Sequence, residues 1–201
     1  MSPRPFHHGN LRAVLLEQGE VMLRETGVDG ISLRELARQA GVSHGAPRSH
    51  FVDKQSLLDA LAERGFDRLT HRVTAVAAQG ATFTDRFRAV GHAYVDFAVG
   101  DAALMELMFA AKIDDPPEPV QQAAGRLFQT FDELLEGDAG VDAAAEEARW
   151  RFKLMFASTM QGTATLIAAR RITPAQGQTV VDDAVDMMLA SALGREVLQR
   201  G

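Results

Sequence analysis

The stretch ISLRELARQAGVSHGAPRSHFVDKQSLL, residues 31–58, holds the start and stop signals of successive short helices. Ser32 followed three residues later by Glu35 is the pattern of a capping box at a helix start. An apolar face then recurs at helical spacing, through Leu33, Leu36, Ala37 and Ala40. Gly41 ends this pattern, so a short amphipathic helix followed by a tight turn is predicted here.

A second short helix is predicted directly after the glycine turn. Ser43 is placed to cap it, and Phe51 supplies an apolar anchor at its far end. Pro47 lies near the end of its first turn, where little helical hydrogen bonding is lost. Because the tight turn leaves the outer face of this second helix free, the segment predicts a helix-turn-helix that enters a DNA major groove.

Composition narrows the class of protein. The 201 residues suit one large helical domain, or a small domain joined to a larger one. The absence of cysteine excludes disulfides and thiolate metal sites and fits a reducing cytoplasm. No apolar run approaches the roughly 20 residues of a membrane span, and no signal peptide precedes the first helical pattern. We therefore expect a cytoplasmic protein with no membrane partner.

The net charge of -6 is unevenly distributed. Residues 1–56 carry seven basic and six acidic residues, whereas the remainder carries 14 basic and 21 acidic residues. Four of the six histidines also lie in the first 50 residues. Since phosphate contacts need Lys and Arg, the N-terminal portion is the part of the chain suited to a polyanion.

The rest of the chain is predicted to be helical, which gives an all-α protein. Alanine-rich segments are punctuated by Gly, Pro and Asp, and no strand pattern is found. Gly27 is expected to end the first helix, and Asp53 to cap a long fourth helix. Besides the helices of residues 31–58, we predict helices at about residues 10–26, 53–78, 84–99, 101–109, 119–136, 142–169 and 174–198. Prolines predict a loop at residues 113–119.

The order of the first four helices and the residues of the turn resemble the TetR family of bacterial transcriptional regulators, most specifically over residues 8–68. FHHGNLR, residues 6–12, and AYVDFAVGDAALMELMF, residues 93–109, resemble one branch, which is named for a Trp-His-Gly (WHG) pattern in its C-terminal domain. The matching stretch FASTMQGTATL, residues 156–166, has Gln161 in place of the His and keeps only Gly162. No role of the Trp and His side chains is carried over.

The resemblance implies a fold and a function. Residues 1–68 are expected to form a three-helix, helix-turn-helix DNA-binding domain, and residues 69–201 a helical effector-binding and dimerisation domain. A homodimer would read a palindromic double-stranded DNA operator, and a small apolar effector would release it. Most relatives repress. We expect no enzyme activity, cofactor or metal site, since no catalytic or ligating constellation is found.

Nine residues are candidates for DNA contact: Ser32, Ser43, His44, Gly45, Ala46, Arg48, Ser49, His50 and Lys54. Lys54 lies in the first turn of a helix, where the macrodipole disfavours a cation by about a few tenths of a kcal/mol. A phosphate shared with the helix N–H groups explains that position better than a solvated lysine does. Arg48 suits a guanine or a phosphate, and we favour the phosphate. Capping alone also explains Ser32, and packing beside the neighbouring phenylalanine also explains His50.

An effector pocket and a dimer interface are expected in the second domain. The pocket lining would include Tyr94, Phe97, Met105, Met108, Phe109, Phe128, Phe131, Trp150 and Met155, with the tyrosine as a polar group. The same spacing also fits ordinary core, so the pocket depends on the resemblance. A four-helix interface between two copies is predicted from residues 150–169 and 180–193.

Two other functions remain open at this point. The first alternative is a helical small-molecule carrier or enzyme with a non-functional DNA reader. Against this stand the missing cysteine, the missing H-E-x-x-H and Glu-x-x-His motifs, and the missing glycine-rich phosphate loop. A dimeric scaffold with a degenerate DNA reader is the third reading, because Arg48 and Ser49 replace a Tyr-Arg pair common in relatives.

Overall fold

The computed structural model of the chain describes residues 11–110, 116–135 and 143–199, and the regular structure in these ranges is helical. One 3₁₀ turn, Ala46–Ser49, lies between the second and third helices. The all-α prediction is confirmed. The helices are α1 Leu11–Gly30, α2 Leu33–Gln39, α3 Lys54–Ala77, α4 Phe83–Gly100, α5 Ala102–Ala110, α6 Glu118–Leu135, α7 Ala143–Ala168, α8 Pro174–Ala190 and α9 Ala192–Gln199.

Side-chain caps and special backbone angles set the helix ends. Gly27 adopts a φ of 68°, in the left-handed region, and interrupts α1 as expected. Asp53 Oδ1 accepts from the Ser56 N–H at 2.8 Å, so Asp53 caps α3. The prediction of one helix over residues 174–198 is wrong. Ser191 is extended there (φ -69°, ψ 165°), and its Oγ accepts from the Gly194 N–H at 3.0 Å, which starts α9.

The chain divides into two compact units. The N-terminal part of the first unit ends at Gly65. The same unit also includes Ala103–Gln121, a segment that was predicted to belong to the second domain. Gly65 explains the assignment of α5 to the first unit. A Cβ at this glycine would lie 2.6 Å from Met108 Sδ and 3.2 Å from Leu104 Cδ1, so the missing side chain lets α5 pack closely on α3.

The first unit is held by an apolar core and by an ion pair at its edge. Its core side chains are fully buried: Leu15, Met22, Leu23, Leu36, Phe51, Leu57 and Leu61. Gly19 of α1 lies against α3, where an added Cβ would be 3.3 Å from Leu61 Cδ2. Arg64 Nε and Glu20 Oε1 are 2.8 Å apart, which links the same two helices.

The second unit contains a core of α4, α7 and α8. Phe87 lies at its centre, with ring centroids 5.5 Å from Phe152 and 5.2 Å from Phe156, both edge-on. Gly91 lies at the crossing of the three helices, since its Cβ would be 2.8 Å from Val181 and 3.1 Å from Met160. Polar bonds cross from α4 to α8 at the rim of this core. Among the helices described, none has the length and apolarity to cross a membrane.

Candidate nucleic-acid interface

The start of α2 has half of the predicted capping box. Ser32 Oγ accepts from the Glu35 N–H at 3.2 Å, as expected of an N-cap. The Glu35 carboxylate does not return to Ser32. It accepts from Arg38 Nε at 2.8 Å and from Gln39 Nε2 at 3.0 Å. The Arg38 bond, which is the largest cause, holds the pKa of Glu35 down at about 2 and raises the pKa of Arg38.

A short recognition segment, residues 43–50, follows the α2 turn. Gly41 makes the turn with a φ of 67°, and the Val42 N–H donates to the Ala37 carbonyl at 3.0 Å. The predicted second helix is a single 3₁₀ turn, Ala46–Ser49. The prediction that Ser43 caps this helix through its side chain is wrong. Gly45 is the N-cap and no side-chain cap bond is made, whereas the Ser43 carbonyl accepts from the Ala46 N–H at 2.9 Å.

Two buried residues fix the recognition segment and leave its polar side chains outside. Pro47 and Phe51 are buried, and the Phe51 N–H donates to the Pro47 carbonyl at 2.8 Å. A Cβ at Gly45 would meet nothing within 4 Å, so this glycine leaves open space in front of the backbone. Ala46 is half-buried, and the exposed residues of the segment are Ser43, His44, Gly45, Arg48, Ser49 and His50. The Ser49 hydroxyl donates to the Ala46 carbonyl at 2.7 Å.

Lys54 lies at the start of α3 and is half-buried. Its Nζ donates to the Asp29 carbonyl at 3.3 Å, which ties α3 to the end of α1. The N–H of Ser56 in the same helix turn is bonded to the Asp53 carboxylate. One of the helix N–H groups that were predicted to bind a phosphate is therefore already hydrogen-bonded to Asp53.

Arg12 is a positively charged neighbour of this segment that the sequence analysis missed. Its Cζ lies 5.6 Å from the centroid of the Phe51 ring, a distance at which a cation and an aromatic ring attract each other. The side chain is exposed. Because Arg12 and Phe51 are far apart in sequence, no local spacing could have revealed the contact. The guanidinium is thus held beside the last residues of the recognition segment.

The nine predicted pocket residues do not share one environment. Tyr94, Phe97 and Phe131 are buried in the second unit, and Phe128 is half-buried. Met105 and Met108 are buried in the first unit, where α5 packs on α3. Phe109, Trp150 and Met155 are 41%, 54% and 49% exposed. The prediction that these three side chains line an interior pocket of the single chain is therefore wrong. The buried face of α7 instead carries Phe152, Phe156, Met160, Thr163 and Ile167.

The polar group of the predicted pocket already has a partner. The Tyr94 hydroxyl donates to Gln161 Oε1 at 3.0 Å. Burial raises the pKa of Tyr94, so the phenol keeps its proton and remains a donor. Gln161, which the sequence analysis matched to the histidine of the Trp-His-Gly pattern, thus bonds a buried residue of α4.

The exposed faces of α7 and α8 carry an apolar stripe, which we define as Trp150, Leu154, Leu166, Val180 and Met187. These residues are between 39% and 68% exposed, and Met187 has the largest exposed fraction of the five. On α7 the stripe continues through Ser158 and Gly162, which are exposed at steps of four residues. A Cβ at Gly162 would meet nothing within 4 Å. Of the small residues near this glycine, Thr163 and Ala164 point into the unit and are buried.

Comparison with known sequences gives two family matches. Residues 15–61 match the family described as "Bacterial regulatory proteins, tetR family". Residues 87–192, more than half of the chain, match "Tetracyclin repressor-like, C-terminal domain". The chain belongs to the TetR family of bacterial regulatory proteins. The first match spans the helix-turn-helix, and assignment to the Trp-His-Gly branch stays a prediction.

The chain is also similar to a curated repressor and to solved structures. The tetracycline repressor protein class A from transposon 1721 of Escherichia coli is 52% identical over 42 residues, which are 21% of this chain and 19% of that repressor. The aligned part thus spans about a fifth of that curated relative. A solved protein of unknown function from Rhodococcus sp. RHA1 is 38% identical, with a TM-score of 0.79 over 92% of this chain and 97% of its own. FadR from Bacillus subtilis, solved with stearoyl-CoA, has a TM-score of 0.62 at 15% identity over 89% of this chain and 98% of its own, and shows the fold alone.

Proposed function

We propose that this chain is a DNA-binding transcriptional repressor that leaves a palindromic operator when a small molecule binds its second unit. The observation that carries the proposal is the recognition segment. Pro47 and Phe51 anchor it in the core, while its polar side chains remain outside and free of carboxylate partners among the described residues. Such a segment offers hydrogen-bond donors to a DNA groove at little conformational cost.

Each candidate residue has a role in this proposal. Arg48 and Arg12 neutralise phosphates at the two sides of the recognition segment, since both are exposed cations. Ser43, His44 and His50 provide donors and acceptors to base edges or phosphates. Gly45 and Ala46 permit close approach of the backbone. Ser32 offers its backbone N–H while its hydroxyl accepts from Glu35. The Ser49 hydroxyl, which donates to the Ala46 carbonyl, keeps its oxygen as an acceptor.

Lys54 takes a structural role besides its proposed phosphate contact. Its bond to the Asp29 carbonyl fixes the start of α3 against the end of α1. An ammonium group has three donors, so this bond leaves two donors for a phosphate oxygen. We therefore keep Lys54 as a DNA contact, and we expect its loss to affect both affinity and the stability of the first unit.

The second unit is proposed to form the dimer and to hold the effector. The apolar stripe on α7 and α8 supports the dimer, because several large apolar side chains exposed on neighbouring helices are typical of an interface. Gly162 would allow two copies of α7 to cross closely. The effector site is proposed near Tyr94, Phe97, Phe128 and Phe131, on α4 and α6. FadR from Bacillus subtilis, which shares this fold, was solved in complex with stearoyl-CoA, which supports a small-molecule ligand for this chain.

The test is a fluorescence-anisotropy titration of the purified protein with DNA from upstream of its own coding sequence, beside a scrambled duplex. We expect selective binding that an Arg48→Ala, Lys54→Ala variant loses. Arg171→Ala is the matched control, because Arg171 is an exposed arginine of the second unit. Selective binding unchanged in the double variant would contradict the proposed contacts. Equal, weak binding to both duplexes would contradict recognition of this upstream site.

A further inference from the structure

Arg149 of α7 is the single charged side chain that is buried among the described residues, with 5% of its surface exposed. Its Nη2 atom is buried and has no hydrogen-bond partner among the residues that the structure describes. Other arginines of the second unit behave differently. Arg68 Nη2 lies 2.9 Å from Asp101, and Arg126 Nη2 lies 2.7 Å from Asp67. The Arg149 guanidinium therefore stands out as a buried cation without a carboxylate among the described residues.

Such a group has few ways to lower its free energy. An arginine side chain keeps its proton in proteins, so the charge cannot be removed by deprotonation. A buried charge without a partner is costly because the low-dielectric interior does not replace the lost hydration. The site therefore favours an anion that brings hydrogen-bond acceptors to the guanidinium.

The position of Arg149 on its helix adds to this preference. The helix α7 starts at Ala143 and has 26 residues. Arg149 lies six positions later, about 9 Å along the axis, and a helical side chain leans toward the N-terminus of its helix. The N-terminal end of a helix carries a partial positive charge that favours anions. The nearby Glu146 and Glu147 are exposed, so they do not fill the buried side of this turn.

The next turn on the same buried face is apolar and aromatic. Phe152 follows Arg149 by three positions and is 1% exposed. Its ring packs edge-on against Phe87 of α4. An anion at Arg149 would thus lie beside aromatic side chains, which disfavour a small, strongly hydrated ion and favour a carboxylate carried on an apolar body.

We propose that the effector is an apolar carboxylic acid and that its carboxylate binds the Arg149 guanidinium. The assignment rests on the proposed function of the second unit as the effector-binding unit. It adds to that function the chemical class of the effector and a binding residue, Arg149, that was not predicted from the sequence. A fork of two N–H groups on a carboxylate is the geometry for which arginine is best suited.

Thermal unfolding of the full chain without DNA tests the proposal. Sodium benzoate and sodium octanoate are titrated against sodium chloride at matched ionic strength, with benzamide as the uncharged twin of benzoate. We expect both carboxylates to raise Tm and benzamide to leave it unchanged. Arg149→Met should lose at least tenfold in carboxylate affinity and should melt higher than the wild type without ligand, because the unpaired charge is gone. Arg151→Met, an exposed arginine of the same helix, should behave as the wild type.

Three results would overturn the proposal. They are no carboxylate-dependent shift in the wild type, an equal shift with benzamide, and a shift that survives Arg149→Met. An Arg149→Met protein that melts well below the wild type would also contradict it, because the guanidinium would then have a stabilising partner. DNA is absent from these assays, so their outcome is independent of operator binding, which the anisotropy titration measures separately.

Discussion

Replacing Met187 by aspartate should separate the proposed dimer into monomers. Met187 is 68% exposed in the single chain and belongs to the apolar stripe of α7 and α8. Complete burial of a methionine side chain stabilises by about 1.5–3 kcal/mol, so covering the exposed two thirds is worth about 1–2 kcal/mol per protomer. A symmetric dimer makes the contact twice, which gives about 2–4 kcal/mol per dimer.

This free energy converts to a dissociation constant. At about 1.4 kcal/mol per tenfold, the Met187→Asp dimer should dissociate with a Kd about 30- to 700-fold above that of the wild type. The carboxylate on each protomer adds to the effect, because a buried charge without a partner is costly. Sedimentation equilibrium over a range of concentrations measures the change directly.

A matched control separates this effect from a general change in the surface. Val52→Ser removes an exposed apolar side chain that is 85% exposed in the first unit, outside the proposed interface. Its dimer Kd should equal that of the wild type. If Met187→Asp dimerises as tightly as Val52→Ser, or if the wild-type chain is a monomer at micromolar concentration, the interface proposed here is wrong.

Three further predictions concern packing, pH and DNA. Gly91→Ala should lower the unfolding free energy by about 1–2 kcal/mol, because its Cβ would lie 2.8 Å from a valine of α8. Gly125→Ala, with nothing within 4 Å of its Cβ, should raise the unfolding free energy by up to about 1 kcal/mol. Equal unfolding free energies of the two variants in urea would contradict the close helix crossing. Glu35→Gln should lower the unfolding free energy at pH values above 4.5, the ordinary pKa of the carboxyl group. The difference from the wild type should vanish as pH falls toward 2, because Arg38 depresses the pKa of Glu35 in the folded state. A pH-independent difference in urea midpoint would argue against that ion pair. Arg12→Met should reduce the salt slope of DNA binding by about 0.9 with little change in Tm, and an unchanged slope would remove it from the interface.

Local signals in the sequence were enough for most helix ends. Gly27 and Asp53 act through backbone angles and caps that involve neighbouring residues, so their effects follow from residue type. The break at Ser191 did not follow, because a serine inside an apolar period is compatible with a continuous helix. The partner of the Glu35 carboxylate also did not follow from the capping-box pattern, because Arg38, one turn later, competes with the Ser32 N–H and forms the hydrogen bond.

Which side of a long helix faces the core depends on contacts that are distant in sequence. Both faces of α7 carry large apolar residues, so periodicity alone could not place Trp150 outside and Phe152 inside. The contact of Arg12 with Phe51 and the grouping of α5 with the first unit have the same origin. They depend on which helices meet, and one-dimensional spacing carries no information on that.

Two copies of the recognition segment are proposed to read a palindrome. The most direct measurement is selection of genomic fragments by the purified full chain, with sequencing of the bound DNA and the Arg48→Ala, Lys54→Ala variant as control. We predict enrichment of an inverted repeat whose half-sites lie on one face of the duplex, about one helical turn or a multiple of it apart, and loss of this enrichment in the variant. Fragments without an inverted repeat would contradict recognition of a palindrome, and the same repeat recovered by the variant would contradict contact through Arg48 and Lys54.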